Sequence, residues 1–222
     1  MIVEGFTSGV FQSNTYVLAA AAGQSAVVVD PGQDAAGTVA ERLAEHGLRL
    51  EAVLLTHGHV DHIWSAKEVC DAAGVPAFIH PADRYLMDDP AAALGAMGFG
   101  DFKIEAPADI RDLADADELN FGGLRLQVRH TPGHTPGHCV FVADGLVMTG
   151  DLIFQGSIGR TDFPGGSLPE LMDSIRRAVM SLDDDVAILS GHGPATSVGV
   201  ERRHNPFVLA DARGELNDML GM

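Results

Sequence analysis

The sequence predicts an α/β protein built as a four-layer αββα sandwich, in which two β-sheets pack face to face and helices cover the outer faces. Two observations lead to this prediction. Strand-like apolar runs followed by a helical run occur once before Leu94 and again after Asp109. In addition, four separate apolar runs each lead into a glycine-containing turn that carries a His or an Asp. We expect these strand ends to converge on one site at an edge between the sheets.

The length and composition fit a single soluble domain spanning residues 1–222 with a substantial core. The net charge of −17 argues against nucleic acid as a partner, because binding a phosphate backbone requires a basic face. No stretch is apolar enough for a membrane span. Two cysteines, Cys70 and Cys139, and an N-terminus without a signal-peptide pattern predict a cytoplasmic protein, although the two cysteines could pair.

The first half of the chain alternates between strand and helix patterns. In chain order the predictions are two strands between Ile2 and Leu18 with a turn at Ser13-Asn14, a buried strand at Ser25–Val29 ending in the turn Asp30-Pro31-Gly32, a helix from Ala35 to His46, a buried strand at Ala52–Leu55, a helix from Ile63 to Ala73, and a short strand at Pro76–His80.

The second half repeats this organisation after an acidic, solvated stretch from Asp109 to Glu118. The predictions are a half-exposed strand at Leu124–Arg129, strands at Val140–Val142 and Leu146–Met148 joined by a hairpin at Asp144-Gly145, an amphipathic helix from Ser167 to Leu182, a strand at Val186–Leu189, and a final helix starting at Asn205 or Pro206.

The segment from Arg84 to Ile104 is irregular, and apolar side chains alternate there with Gly, Ala and Asp. Such a segment beside a functional site could act as a substrate lid. The alternative is a surface loop packed onto the core. The sequence leaves both interpretations open.

The densest cluster of metal-ligand residues is Thr56-His57-Gly58-His59-Val60-Asp61-His62, which directly follows the buried strand at Ala52–Leu55. Neutral imidazole and carboxylate groups suit zinc, iron or manganese. Three later strand ends supply His134, Asp151 and His192. Seven candidate ligands are too many for one tetrahedral zinc and indicate a site for two metals.

This His-x-His-x-Asp-His motif with its later His, Asp and His resembles the metallo-β-lactamase superfamily. The narrower resemblance is to its small, single-domain glyoxalase II branch, the hydroxyacylglutathione hydrolases. The stretches that carry it are Gly150-Asp151, Gly156–Phe163, Gly191–Pro194 and Asn205–Phe207. The resemblance covers nearly the whole chain and also implies the αββα metallo-β-lactamase fold.

The resemblance implies a ligand set for each metal. His57, His59 and His134 would bind the first ion, Asp61, His62 and His192 the second, and Asp151 both. Zinc is the expected metal, with iron and manganese as alternatives, and a hydroxide shared by the metals would be the nucleophile. Asp61 and Asp151 are therefore the candidate catalytic carboxylates. Thr135 and His138 are expected to orient the ligands. Asp30 is expected to support the ligands or form a turn, and its alternative role is that of a further ligand.

The implied activity is hydrolysis of a small-molecule hydroxyacyl thioester such as S-lactoylglutathione. A thiolate leaves readily because thiols have a pKa near 8.5. The sequence contains no Gly-x-Ser-x-Gly elbow, which argues against a serine hydrolase. Arg160 is the candidate substrate contact, where larger glyoxalase II enzymes have a Lys. Asp162 replaces a Tyr of those enzymes and would repel a carboxylate, so another thiol carrier is possible, and an Arg160 ion pair with Asp162 or Glu170 is equally compatible.

An alternative is an iron-dependent persulfide dioxygenase, because that branch of the superfamily also resembles the Gly-Arg-Thr-Asp-Phe stretch. It would bind one Fe(II) through His57, His59 or His134, and Asp151, leaving the second ligand set without a metal. A third reading is a metal-binding or interaction module on a hydrolase fold that has lost its activity, which the intact ligand set disfavours.

Overall fold

The structure is a computed structural model that describes residues 1–89 and 104–216. Within these residues, two six-stranded sheets and one two-stranded hairpin are flanked by helices. One apolar cluster lies between the two large sheets, and one lies on the outer face of each. The predicted α/β four-layer αββα sandwich is therefore confirmed.

The first sheet has its strands in chain order, β1-β2-β3-β4-β5-β6. The first three strands pair antiparallel, and those from β3 to β6 pair parallel. The strands are β1 (Ile2–Ser8), β2 (Ser13–Ala19), β3 (Ser25–Val29), β4 (Arg49–Leu54), β5 (Ala77–Ile79) and β6 (Ile110–Asp112).

The second sheet has the order β14-β13-β10-β9-β8-β7. Only β10 and β13 pair parallel in it, while the remaining neighbours pair antiparallel. Its strands are β7 (Glu118–Phe121), β8 (Leu124–His130), β9 (Cys139–Ala143), β10 (Leu146–Gly150), β13 (Ala187–Ser190) and β14 (Thr196–Ser197); the separate hairpin is β11 (Ile153–Phe154) with β12 (Ser157–Ile158).

Helices cover the outer faces of both sheets. They are α1 (Ala35–Glu45), α2 (Val60–Ile63), α3 (Ala66–Ala73), α4 (Arg84–Asp88), α5 (Leu168–Ser174), α6 (Val198–His204) and α7 (Pro206–Arg213), with a 3₁₀ turn at Pro81–Asp83 and a π-helical turn at Ile175–Val179. None of the helices in the described ranges is long and apolar enough to cross a membrane.

Strand alternation explains the continuous apolar runs in the sequence. In β3, Val27 faces the second sheet, whereas Val28 faces α1 and α3. Because successive side chains point to opposite faces and both faces are covered, the strand has no solvent-facing position. Phe141 and Met148 of the second sheet are buried in the same central cluster as Val27.

The structure corrects the predicted turn at Ser13-Asn14. Both residues belong to β2, and the turn between β1 and β2 lies at residues 9–12. Asn14 is a polar residue in a strand because its side-chain amide donates to the carbonyl oxygens of Ser190 (2.9 Å) and Gly193 (2.8 Å) in the second sheet and the loop after it. That long-range role has no local sequence pattern.

Several predicted elements differ in extent. The predicted helix from Ile63 to Ala73 consists of α2 and α3, separated at residues 64–65, and the predicted helix at Ser167–Leu182 continues from α5 into the π-helical turn. The acidic stretch after Asp109 contains the edge strand β6. Helix α6 was not predicted. Residues 90–103, on which the lid interpretation mainly rests, lie outside the described residues.

Candidate metal centre

The first group of candidate ligands comes from the end of β4. This buried strand stops at Leu54, and the following turn carries His57 and His59 before α2 begins at Val60. Asp61 and His62 lie in the first turn of that helix. Because only five residues separate β4 from α2, the four candidate ligands lie close together in the loop and in the first turn of the helix. His57 and His62 are fully buried.

The second group comes from the ends of three strands in the other sheet or the loops after them. His134 lies between β8 and β9, Asp151 directly follows β10, and His192 follows β13. Because β10 and β13 are parallel neighbours, their carboxyl ends meet at the same edge. The Gly191 N–H donates to the Gly150 carbonyl (2.7 Å), which holds the two ligand turns together.

Three imidazoles form the first cluster, here called the first triad: His57, His59 and His134. The Nδ1 atom of His59 lies 3.1 Å from Nε2 of His57 and 2.8 Å from Nε2 of His134. Tetrahedral zinc with bonds of about 2.0–2.1 Å requires ligand nitrogens roughly 3.3 Å apart. The three nitrogens therefore converge closely enough to share one metal ion.

The second triad consists of Asp61, His62 and His192, whose ligand atoms lie within 4.8 Å of one another. Nε2 of His192 lies 3.0 Å from Oδ2 of Asp61, and Nε2 of His62 lies 3.4 Å from the same oxygen. Two imidazole nitrogens and a carboxylate oxygen form a donor set that suits zinc, iron or manganese.

Asp151 stands between the two triads. Its Oδ2 atom lies 3.6 Å from Nε2 of His134 and 3.6 Å from Nε2 of His192, while Oδ1 lies 3.3 Å from Nε2 of His62. One carboxylate thus faces ligands of both groups. The structure brings together all seven side chains that the sequence singled out as ligands.

Two atoms of this cluster show that its donor set suits a cation. Nε2 of His62 and Oδ1 of Asp151 are buried and lie 3.3 Å apart, yet neither makes a well-formed hydrogen bond to the described part of the chain. Leaving buried polar atoms unpaired costs about 1–3 kcal/mol each. A divalent cation coordinated by these atoms would remove that cost, so the residues present fit a metal centre.

Two imidazoles of the first triad have lowered pKa values, which favours the neutral form that binds metal. Burial lowers the pKa of His57 well below its usual value, and burial together with His134 lowers that of His59 to about 3. Both imidazoles are therefore neutral at pH 7, as metal ligands must be.

The second triad is dominated by its carboxylates. Burial opposes a charged His62, but the attraction of Asp61 and Asp151 outweighs burial and raises the pKa of this imidazole well above its usual value. Burial likewise opposes a charged Asp61, yet His62 and His192 hold its pKa well below the usual range. The carboxylates of this cluster therefore favour a positive charge between them. Either a proton on the imidazole or a bound cation can supply that charge.

Hydrogen bonds from Nδ1 orient three of the imidazoles. His134 donates to the Arg160 carbonyl (2.8 Å), His192 to the Gln12 carbonyl (3.2 Å), and His62 to Oδ2 of Asp30 (2.9 Å). With Nδ1 protonated and engaged, each ring presents Nε2 as the free ligand atom. Such outer partners fix both the tautomer and the orientation of a ligand ring.

Asp30 also lies within ligand range of His57 and His62. Its carboxylate already accepts from the N–H (2.8 Å) and the hydroxyl (2.6 Å) of Thr56 as well as from His62. Because those three donors occupy it, we assign Asp30 to supporting the ligands. Its positive φ of 50° places it in the sharp turn after β3.

His138 and Thr135, the two residues predicted to orient the ligands, make hydrogen bonds beside the candidate metal centre. Nε2 of His138 accepts from the Asp151 N–H (3.2 Å), and its Nδ1 pairs with the Thr131 hydroxyl (2.8 Å). The Thr135 hydroxyl donates to Asp83 (2.6 Å). Neither side chain is among the atoms that converge between the triads.

The Arg160 side chain makes the ion pair that was one of its two interpretations. Its Nε and Nη2 atoms donate to the two carboxylate oxygens of Asp162, both at 2.7 Å. The guanidinium lies 3.8 Å from the centre of the Phe163 ring, which in turn packs edge-on against His59. Arg160 therefore lies beside the first triad, with its side chain engaged by Asp162.

Sequence reasoning missed two buried carboxylates near the centre. Asp83 accepts from Gly58, Thr135 and Gly137, which lie in the two loops of the first triad. Glu201 accepts from Gly156, Thr196 and Asn205 around the β11–β12 hairpin. Neither belongs to a ligand motif, and only their burial and their hydrogen bonds in the folded structure reveal them.

Comparison with known proteins identifies the family. The profile of the metallo-beta-lactamase superfamily matches residues 8–192. An uncharacterized protein of Mycobacterium tuberculosis is 44% identical over 219 residues, covering 94% of this chain and 98% of the relative. A protein of Haemophilus influenzae named hydroxyacylglutathione hydrolase GloC is 38% identical over 189 residues, covering 83% of this chain and 88% of the relative.

Three solved structures share the fold over nearly their whole length. The BLEG-1 B3 metallo-beta-lactamase has a TM-score of 0.87 at 35% identity and covers 93% of this chain and 99% of its own. TTHA1623 in a di-iron-bound form has a TM-score of 0.80 at 36% identity, covering 92% and 100%. ETHE1 from Myxococcus xanthus has a TM-score of 0.81 at 27% identity, covering 100% and 90%.

Proposed function

This chain belongs to the metallo-β-lactamase superfamily, and from that membership we propose that it is a two-metal hydrolase of hydroxyacyl thioesters such as S-lactoylglutathione. Membership and the His/Asp cluster together indicate a metal-dependent hydrolase. The finer assignment to a glyoxalase II-type thioesterase is supported by the similarity to GloC.

The observation that carries the proposal is the position of Asp151 between two complete triads. A site for one metal needs only the three imidazoles and Asp151. Here Asp151 also lies within 3.6 Å of Nε2 of both His62 and His192, and Asp61 completes that second set. The arrangement supports two divalent ions with Asp151 shared, and Asp61 and Asp151 as the carboxylates of the catalytic centre.

Two divalent ions bound at such a centre would lower the pKa of water toward about 7 and polarise a carbonyl oxygen. In the overall reaction, water adds to the thioester carbonyl carbon and the carbon–sulfur bond breaks. The sulfur leaves as a thiolate, and the products are a hydroxy acid and a thiol. No acid beyond the centre is required, since a thiolate with a conjugate-acid pKa near 8.5 is a good leaving group.

Zinc is the proposed metal because the mixed imidazole and carboxylate set suits it. The same set accepts iron or manganese, and the di-iron-bound neighbour TTHA1623 supports iron as the alternative. The proposed location is the cytoplasm, which the two buried free cysteines support, since disulfides are rare in reducing compartments.

The test is hydrolysis of S-lactoylglutathione by protein that has been stripped of metal and reloaded separately with zinc, manganese or iron. We expect loss of activity on chelation and recovery on reloading. Asp61→Asn should lose activity, whereas Asp144→Asn is a matched control because Asp144 lies in the β9–β10 turn at the far end of β10 from Asp151. A fully loaded protein that is inert toward acyl thioesters would reject the proposal.

The second candidate is a persulfide dioxygenase with one Fe(II) at the first triad and Asp151. The similarity to ETHE1 over the whole chain favours it. It predicts oxygen consumption with glutathione persulfide and one iron per chain. Thioester hydrolysis without oxygen consumption by the iron-loaded protein would exclude it.

A further inference from the structure

A buried carboxylate outside the ligand set connects the two loops that carry the first triad. Asp83, at the end of the 3₁₀ turn Pro81–Asp83, is fully buried. Its Oδ2 accepts from the Gly58 N–H (3.0 Å) and the Thr135 hydroxyl (2.6 Å), and its Oδ1 accepts from the Gly137 N–H (2.6 Å). Three donors from two distant segments thus converge on one side chain.

Two of the three donors are immediate neighbours of the candidate ligands. Gly58 lies between His57 and His59, and Thr135 directly follows His134. The packing at both glycines is too close for a side chain. A Cβ on Gly58 would lie 2.9 Å from the Asp83 carbonyl oxygen, and a Cβ on Gly137 would lie 2.7 Å from the Asp83 carboxylate carbon. Asp83 is therefore in close contact with both ligand loops.

The second triad is held by different residues. Asp30 accepts from Nδ1 of His62 (2.9 Å), and the Ser13 hydroxyl donates to the Asp61 carbonyl (2.8 Å). The Asn14 amide donates to the carbonyls of Ser190 and Gly193 on either side of His192. None of the hydrogen bonds that Asp83 makes to other described residues reaches the second triad.

We propose that Asp83 is a positioning residue for the first metal site, which it builds by holding the loop of His57 and His59 against the loop of His134. It contacts neither substrate nor metal. The proposal rests on the metal centre proposed above but not on its substrate, because the effect is on metal affinity. Loss of the hydrogen bonds of Asp83 lowers the metal affinity of the first triad and leaves the metal affinity of the second unchanged.

The test is titration of the metal-free full-length chain with Co²⁺, following the visible spectrum and calorimetry, with no substrate present. Asp83→Asn keeps the shape but turns one acceptor oxygen into a donor that faces another donor. We expect one of the two binding steps to weaken about 10- to 100-fold, the usual effect of losing an outer hydrogen-bond partner. The other step should stay within about two-fold.

The matched control is Asp88→Asn, the same chemical change on an exposed residue of α4, the helix that directly follows Asp83. It should bind Co²⁺ as the wild type does. Should Asp83→Asn fail to fold, the pair Thr135→Val and Thr135→Ser carries the test. The valine removes one donor to Asp83 and should weaken the same step, and the serine restores the hydroxyl and the affinity.

Wild-type affinity at both steps in Asp83→Asn, or an equal loss at both, would overturn the proposal, since an equal loss indicates a general scaffold role. These results do not depend on thioester hydrolysis. A protein that binds two cobalt ions in the predicted manner but hydrolyses no thioester would reject the proposed function and leave the role of Asp83 intact.

Discussion

The Nε2 atom of His192 lies 3.0 Å from Oδ2 of Asp61, although 131 residues separate them in the chain. Asp61 enters the site from the helix after β4 of the first sheet, and His192 from the loop after β13 of the second. Their contact means that the second triad exists only when the two sheets pack together. The candidate metal centre is thus assembled across the interface between the sheets.

Asp61→Asn is predicted to remove the second metal and keep the first. The amide loses the negative charge that His62 and His192 stabilise, and three uncharged ligands bind a divalent ion less tightly. Metal analysis should give one ion per chain, and thioester hydrolysis should fall by more than the roughly 100-fold that loss of an outer partner can cause. Two tightly bound metals in the variant would contradict this assignment.

Metal removal is predicted to lower thermal stability. Buried polar atoms of His62 and Asp151 lose their partner when the ions leave. For each site, ligand at 100 times its dissociation constant adds about 2.7 kcal/mol to the free energy of unfolding. The unfolding midpoint should therefore fall in the presence of a chelator and rise again with added zinc. An unchanged midpoint would argue against metal binding by the folded state.

The stability of the metal-free protein is predicted to depend on pH through His59. Burial lowers its pKa to about 3, whereas an unfolded chain protonates histidine near 6.5. Between these values the unfolded state binds the additional proton, so this residue lowers the free energy of unfolding as the pH falls from about 6.5 toward 3. Denaturant unfolding in chelator should show a shallower decline for His59→Asn than for the wild type; equal slopes would refute the assignment.

The role of Arg160 as a substrate contact remains a prediction. Its guanidinium is held by Asp162, but both side chains are largely exposed, and such a pair is worth little. Arg160→Gln should therefore raise KM for S-lactoylglutathione about five-fold, with kcat little changed, as expected for loss of uniform binding. Asp162→Asn should lower KM by removing the competing carboxylate. An unchanged KM in both variants would exclude the Arg160 side chain as a substrate contact. Only the hydrogen bond of the Arg160 carbonyl to His134 would then connect this residue to the site.

The candidate metal ligands could be singled out from the sequence because their pattern is local. A buried strand followed by a turn with His or Asp is visible within a few residues, as in Leu54 to His59. The αββα fold could be predicted for a similar reason, since strand and helix periodicities are short. The parallel pairing of β10 with β13, which brings Asp151 and His192 together, could only be expected from the repeated format of the strand ends.

Two supporting residues, Asp83 and Asn14, could not be predicted, because their partners are remote. Asp83 is defined by donors 25, 52 and 54 residues away. Asn14 resembles a turn residue, yet its side chain bonds the loop of His192. Residues of this kind look like ordinary polar positions in the sequence. Their function comes from the tertiary structure alone.

Anomalous diffraction from crystals of the metal-loaded protein tests the central claim most directly. We predict two peaks roughly 3.5–4 Å apart, one at His57, His59 and His134 and the other at Asp61, His62 and His192, with the Asp151 carboxylate contacting both. A single peak at the first triad, with the second triad holding no metal, would contradict the two-metal centre and the hydrolase proposed from it.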